Sequence, residues 1–148
     1  MSDLLSYDAL GQAELIANGK TSAAEVLEAA IARAEQFNPG LNFIAQRLFD
    51  RARSAAGGAF SGPFAGVPFL VKDLHMHILG ERSGEGSQLW RDYRPTYSST
   101  LYERFVAAGL NTFGKTTTPE LGLTVTTESK ATGLTRNPAF TDSLPLYT

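Results

Sequence analysis

The residue that stands out as able to do chemistry is Lys72, which directly follows the apolar run Ala65-Gly66-Val67-Pro68-Phe69-Leu70-Val71. A continuous apolar run bounded by Gly and Pro predicts a strand covered on both faces. A lysine at its end falls at the C-terminal edge of an α/β sheet, where open sheets of this kind place their ligand sites. Burial at that position disfavours the ammonium form and so suits a general base. From spacing alone, a structural ion pair between Lys72 and Asp73 or another carboxylate is at least as good an account.

Two other groups invite a chemical reading. Gly109-Leu110-Asn111-Thr112-Phe113-Gly114-Lys115-Thr116 fits the pattern of a phosphate-binding loop, Gly, four residues, then Gly-Lys-Thr. Such a loop needs a strand before it and a helix opening at the Lys-Thr pair, whose N-terminal amides hold the phosphates. Here a helical pattern precedes Gly109, the spacer reads as strand, and Thr117-Thr118-Pro119 follows the lysine. Nucleotide binding through Gly109 to Thr116 is therefore kept only as an alternative. His75 and His77 lie two apart and would share a face on a strand, but no third ligand accompanies them, so no metal is expected.

The elements that would position these groups follow from periodicity. Leu10, Ala13, Leu15, Ile16 and Ala17 give a short helix ending at Asn18-Gly19. Ser22 and Glu25 have capping-box spacing, and Val26, Leu27, Ala30, Ile31 and Ala34 continue a second helix until Asn38-Pro39-Gly40. Leu41 to Ala45 reads as a strand, and Gln46 to Ala56 as a helix with Arg47, Arg51 and Arg53 outward. Residues 80–97 read as an irregular surface segment. Thr100 to Glu103 has capping-box spacing and opens a helix that stops at Gly109. Leu110 to Phe113 is a strand, and Leu121 to Thr127 a further extended stretch. Alternating helix and strand predicts an α/β sandwich.

The bulk composition narrows the partners. Hydrophobic residues make up 43% and charged residues 19%, which suits a single globular domain. The net charge is −2 and the basic residues are scattered, so no nucleic-acid partner is expected. The absence of cysteine excludes disulfides and thiolate metal sites. Residues 1–10 lack the pattern of a signal peptide, and the apolar runs are too short for a membrane span. A cytoplasmic protein without a membrane or cofactor is the expectation.

Several blocks resemble the amidase signature family. Gly66-Val67-Pro68-Phe69-Leu70-Val71-Lys72-Asp73 is similar to the block around that family's catalytic lysine. Ala107-Ala108-Gly109 with Gly114 to Gly122 resembles the second block, which often carries Gly-Lys-Thr-Asn-x-Pro-Glu. Thr126-Thr127-Glu128-Ser129 and Gly133 to Pro138 resemble the approach to a serine-rich core. The wording is closest to the branch that includes hydrolases of cyclic aminohexanoate oligomers. The second block also accounts for the phosphate-loop pattern as a coincidence.

The resemblance implies an α/β/α sandwich with a mixed sheet. It also implies hydrolysis of a carboxamide, a C–N bond other than a peptide bond, with Lys72 as base. In that mechanism the neutral lysine takes a proton through a bridging serine in a cis peptide, and a second serine attacks the carbonyl. Backbone amides hold the oxyanion. After Pro138 the sequence departs from the family, and Ser143 lacks the flanking glycines, so no serine role is carried onto it. Residues 1–148 are thus expected to be the N-terminal part of one domain, ending before the serine-rich core. Whether this chain is itself an enzyme stays open. The alternatives are a non-catalytic remnant, a partner-dependent fragment and an amidotransferase-type subunit. A small-molecule amide is the expected substrate of the complete protein, and self-association through exposed apolar surface is expected of the isolated chain.

Overall fold

A computed structural model describes residues 4–140. Ser143, with the departing tail beyond Phe140, lies outside the described residues. The chain opens with helix α1 (Ala9–Ala17), capped by Asp8, whose carboxylate accepts the Gly11 N–H at 2.8 Å. Helix α2 (Ala23–Leu41) starts at the expected capping box: Ser22 Oγ accepts from Glu25 N at 3.2 Å, and Glu25 Oε2 accepts from Ser22 N at 2.8 Å. The Ser22 amide is the main reason the Glu25 carboxyl is held below its ordinary range.

α2 does not break at Asn38-Pro39-Gly40 but runs through Pro39 to Leu41, and Asn42 ends it in the left-handed region at φ 54°. Pro39 removes one donor, yet the Asn38 side chain organises the exit. Its Oδ1 accepts Phe43 N at 2.9 Å and Ile44 N at 2.8 Å, while its carbonyl accepts Asn42 N at 2.7 Å. A side chain that satisfies the donors of the departing chain replaces the expected break with an ordered turn into the sheet.

Strand β1 (Ile44–Arg47) takes the two residues assigned to the next helix, and α3 (Phe49–Ala56) follows after Leu48. The three arginines do face outward: Arg47 pairs with Glu35, and Arg53 with Glu28 across to α2. Arg51 donates to the Tyr102 hydroxyl. Strand β2 (Pro68–Lys72) is shorter than the predicted run and includes the lysine itself. Helix α4 (Thr100–Ala107) is the crossover to β3 (Asn111–Thr116). The sheet order is β1-β3-β2, with β1 antiparallel and β2 parallel to β3, so the sheet is mixed as expected.

Two apolar cores lie on its faces. Leu27, Ile31 and Ala34 of α2 and Ala52 of α3 pack with Ile44 and Phe113, and Leu70 joins them. Leu48, Val71, Ile78 and Tyr102 form the second core, joined by Phe69 and by Phe105 of α4. Leu70 thus points to one core while Phe69 and Val71 point to the other, as the period of a strand requires. The layers are helices, mixed sheet, helix.

Three further expectations are corrected. No capping box forms at Thr100–Glu103, because Ser99 is the N-cap and its hydroxyl reaches Met76 Sδ at 3.6 Å instead. Leu121 to Thr127 is not extended. A 3₁₀ turn at Glu120–Gly122 places Leu121 at φ 51°, and Leu123 and Val125 stand in solvent, while Thr127 accepts the Thr135 N–H at 2.8 Å. Only Glu128–Ser129 (β4) pairs, with Gly133–Leu134 (β5). Residues 80–97 are irregular but not superficial, since Ser83, Gly84, Gly86, Ser87 and Pro95 are buried.

Gly109 marks where the turn after α4 crosses the loop before β2. At φ 93° its position leaves no room for a side chain: a Cβ there would lie 2.5 Å from the Ser61 carbonyl oxygen. Replacing Asn38 with Ala should orphan the Phe43 and Ile44 amides and weaken the α2–β1 junction by about 1–3 kcal/mol. Native-state hydrogen exchange at those two amides should accelerate in Asn38→Ala while α1 is unaffected. Unchanged protection would show that something other than Asn38 closes α2.

Candidate active site

Lys72 is the last residue of β2, in register with Thr116 at the end of the parallel neighbour β3. The predicted location at the C-terminal edge of the sheet is therefore observed. The predicted burial is not: Lys72 is exposed. The strand ends there at the rim of the sheet, so its last side chain reaches solvent.

The buried lysine is Lys115, one register position back on β3 opposite Val71, and its exposure is 0%. Its Nζ lies 3.2 Å from Asp73 Oδ1 and donates to the Arg82 carbonyl oxygen at 2.8 Å. Asp73, only 3% exposed, accepts the Gly84 N–H on its other oxygen at 3.2 Å, and its own amide donates to the Thr116 carbonyl at 3.0 Å. Burial pushes the Asp73 carboxyl up and the Lys115 ammonium down. In each case the charge of the partner opposes the effect of lost water.

This pair answers two questions left by the sequence. Asp73 does form an ion pair, but with Lys115 rather than with Lys72. The lysine of the phosphate-loop pattern lies inside a strand, its ammonium engaged by a carboxylate and a carbonyl. No helix opens after it; Thr117 instead donates its N–H to the Phe43 carbonyl at 2.9 Å. Sequence reasoning missed the pair because the predicted strand, Leu110 to Phe113, stopped short of Lys115, whereas β3 runs to Thr116.

The loop over this end of the sheet is tightly fixed. The Arg82 guanidinium donates to the Ala45 carbonyl at 3.0 Å, so one residue ties β1 and β3 together. Ser87 donates to Glu120 Oε1 at 2.7 Å, and Leu121 N donates to the Glu85 carbonyl at 2.9 Å. The block approaching the serine-rich core is anchored too: Thr135 Oγ1 donates to the Asn42 carbonyl at 2.7 Å and lies 2.7 Å from Thr117 Oγ1. The structure brings the first two family-like blocks together at one sheet edge. The third sits against the exit of α2.

His75 and His77 occupy a bend rather than a strand. His75 is at φ 56° and solvent-exposed, whereas His77 Nδ1 lies 3.1 Å from Ser83 Oγ. Among the described residues no three His, Asp or Glu side chains gather as a metal site would require, and no helix is long and apolar enough to cross a membrane.

A family model described as Amidase matches residues 25–145, and the chain belongs to that family. It is 44% identical over 136 residues to the 6-aminohexanoate-cyclic-dimer hydrolase of Paenarthrobacter ureafaciens, covering 90% of this chain and 27% of that protein. It is 37% identical to one component of the glutamyl-tRNA(Gln) amidotransferase of Salinispora tropica, covering 93% of this chain and 30% of that component. Among solved structures, 6-aminohexanoate cyclic dimer hydrolase complexed with substrate superposes with a TM-score of 0.85 at 41% identity, over 93% of this chain and 28% of that one. The chain thus spans about 27% of the length of the first of these relatives.

Because the Lys115 ammonium is sealed, titration calorimetry with ATP and magnesium should give no saturable heat. Micromolar binding that disappears in Lys115→Ala would overturn this reading of Gly109 to Thr116.

Proposed function

We propose that this chain supplies the lysine base of a carboxamide hydrolase, with Lys72 in that role. The observation that carries the reading is the contrast between the two lysines. Lys115 is occluded and committed to Asp73, whereas Lys72 stands open at the C-terminal end of β2. A base must reach the proton that it abstracts, and of these two lysines Lys72 is the accessible one. The relatives named as cyclic-dimer hydrolases favour a linear or cyclic amide of a small molecule as substrate.

In this reading Lys72 takes the proton of a bridging serine, which in turn takes the proton of a second serine as that serine attacks the amide carbon. Neither serine role is assigned to a residue of this chain. Base, nucleophile and oxyanion donors act only when held together, so the chain by itself should not turn over an amide. β2 carries an open edge in the three-stranded sheet, beside an apolar groove of about 620 Å³ lined by Phe37, Phe43, Phe69 and Leu70. An open edge of this kind templates association, here with a second copy of the chain.

The match to the amidotransferase component supports a second reading of the same chemistry, in which the substrate is a primary carboxamide and the ammonia it releases is passed on. Both readings are tested by joining residues 1–138 to the remaining sequence of the Paenarthrobacter relative. Hydrolysis of the cyclic aminohexanoate dimer and of glutamine is then measured in the hybrid. Lys72→Ala should lower kcat by about 10²-fold or more without loss of the folded hybrid. Near-full activity in Lys72→Ala would sink the base assignment, and release of ammonia from glutamine alone would favour the second reading. Residues 1–148 alone should show no hydrolysis of a simple anilide and should elute larger than a monomer. A monomer would count against association at the edge.

A further inference from the structure

The three-stranded sheet has two outer edges, and they are finished differently. On β1 the register shifts between Ile44 and Gln46, and the Arg82 guanidinium donates to the carbonyl of the intervening Ala45 at 3.0 Å. Arg47, at the end of the same strand, is held by Glu35. A bulge and charged side chains are the usual means of closing an edge to other chains. β2 is bare by comparison. The irregularity between Phe69 and Leu70 puts the extra residue, Phe113, on β3 and leaves β2 itself regular. No charge precedes Lys72 on the strand, and among the described residues Phe69, Leu70 and Val71 make no hydrogen bond besides the β3 ladder.

Beside that edge lies the apolar groove of about 620 Å³, walled by Phe37 of α2, Phe43, Leu70, Phe113 and Pro138. Arg33 is the one charged residue in its lining among the described residues, and its guanidinium stands over the Phe37 ring at 6.0 Å. Strand alternation puts the Lys72 side chain on the Leu70 face of the sheet, the face on which α2 packs. Whatever covers this edge and groove therefore arrives beside Lys72.

We propose that this face is a docking surface for the remainder of an amidase domain supplied as a separate polypeptide, which adds a strand to the β2 edge and apolar side chains to the groove. The proposal rests on the reading of this chain as part of a carboxamide hydrolase, but its first readout is assembly rather than turnover. The match to the Paenarthrobacter relative takes in 90% of this chain and 27% of that protein, so nearly three quarters of the relative lies outside it. The shared part keeps its fold, with a TM-score of 0.85 over 93% of this chain against the solved hydrolase. A bare apolar edge and hollow on a part so conserved in shape is the surface that the rest of such a protein has to cover. Pro138 stands in the groove wall near the end of the described residues, so in a relative the chain after the matched stretch sets out from the groove itself. A second copy is the poorer fit. Two-fold pairing of β2 edges sets the groove against an identical groove, and two hollows leave each other unfilled. Such pairing is what the isolated chain is left with, and a strand from the remainder takes the same edge and displaces it.

Residues 1–148, carrying an affinity tag, are co-expressed with the part of the Paenarthrobacter relative that follows its matched stretch, and the same two chains are also refolded jointly from urea. Size exclusion with light scattering should show a one-to-one assembly in place of the self-associated chain. Phe37→Lys places a charge in the groove beside Arg33, where no acidic group of the lining can meet it. Phe37 is 45% exposed, so circular dichroism should show the fold retained. The variant should weaken the assembly by about tenfold or more, because the groove leaves the new charge unpaired. It should leave self-association through the β2 edge unchanged. Failure to assemble by either route overturns the proposal. Loss of self-association in Phe37→Lys overturns it as well, since the groove would then belong to a second copy. Lys72→Ala should assemble like the unsubstituted chain and not hydrolyse the amide used for the hybrid. Assembly without turnover in the unsubstituted pair would sink the hydrolase reading and leave the docking surface established, so the two ideas fail separately.

Discussion

Opposite charges withdrawn from water must find each other, and here the meeting place of Asp73 and Lys115 organises the whole C-terminal end of the sheet. Removing one partner of such a pair leaves a lone buried charge, at a cost of about 3–5 kcal/mol, whereas the intact pair contributes little net stability. The pair is therefore better understood as a geometric requirement than as a source of stability. It holds only if β2 and β3 keep their parallel register, the chain after Lys72 continues the ladder through the Asp73 amide, and the Arg82–Gly84 loop folds over the top. Each of these features places Lys72 relative to the rest of the domain.

The two lysines show how little residue type says about role. Both lie on parallel neighbours near the same sheet edge, and their positions differ by one rung. Lys115 is enclosed by a loop that returns over it, whereas Lys72, at the end of its strand, is not. A desolvated amine would be the natural choice for a base on electrostatic grounds alone. Access reverses that choice, because an amine bonded on the inside to a carboxylate and a carbonyl has no path to a substrate proton.

The parts of this fold legible in the sequence were those set by local rules. The Ser22–Glu25 box involves groups three residues apart, and the helical spacing of Val26, Leu27 and Ile31 reports directly on one buried face. The alternation of helix and strand, and the place of Lys72 at a strand end, also followed from local pattern, whereas the mixed sheet was what the family resemblance implied. What failed depended on distant partners. α2 continues past Pro39 while Asn38 binds the amides of Phe43 and Ile44, and Thr100 has no capping role because Ser99 takes the N-cap position. The β-branched run before Thr127 has strand propensity, yet Leu123 and Val125 stand in solvent. The pairing of Lys115 with Asp73 was missed because the two are 42 positions apart.

Gly109 carries a consequence for how short patterns are read. A glycine records only that something must come close at that point in the chain; it does not record what. In a nucleotide site the visitor is a phosphate, and here it is the protein's own backbone at Ser61 and Ala65. Gly114, the second fixed glycine of the same pattern, is likewise crowded by the Gln46 carbonyl and Leu70 at 3.0 Å. Both letters that make the motif look informative are thus explained by strand and loop crossings within the fold. Selection to preserve those crossings would keep the pattern intact indefinitely, in lineages that never meet a nucleotide. At these two glycines the crowding is by the protein's own chain, and the flanking strand and helix, not the glycines, decide whether a phosphate could be held.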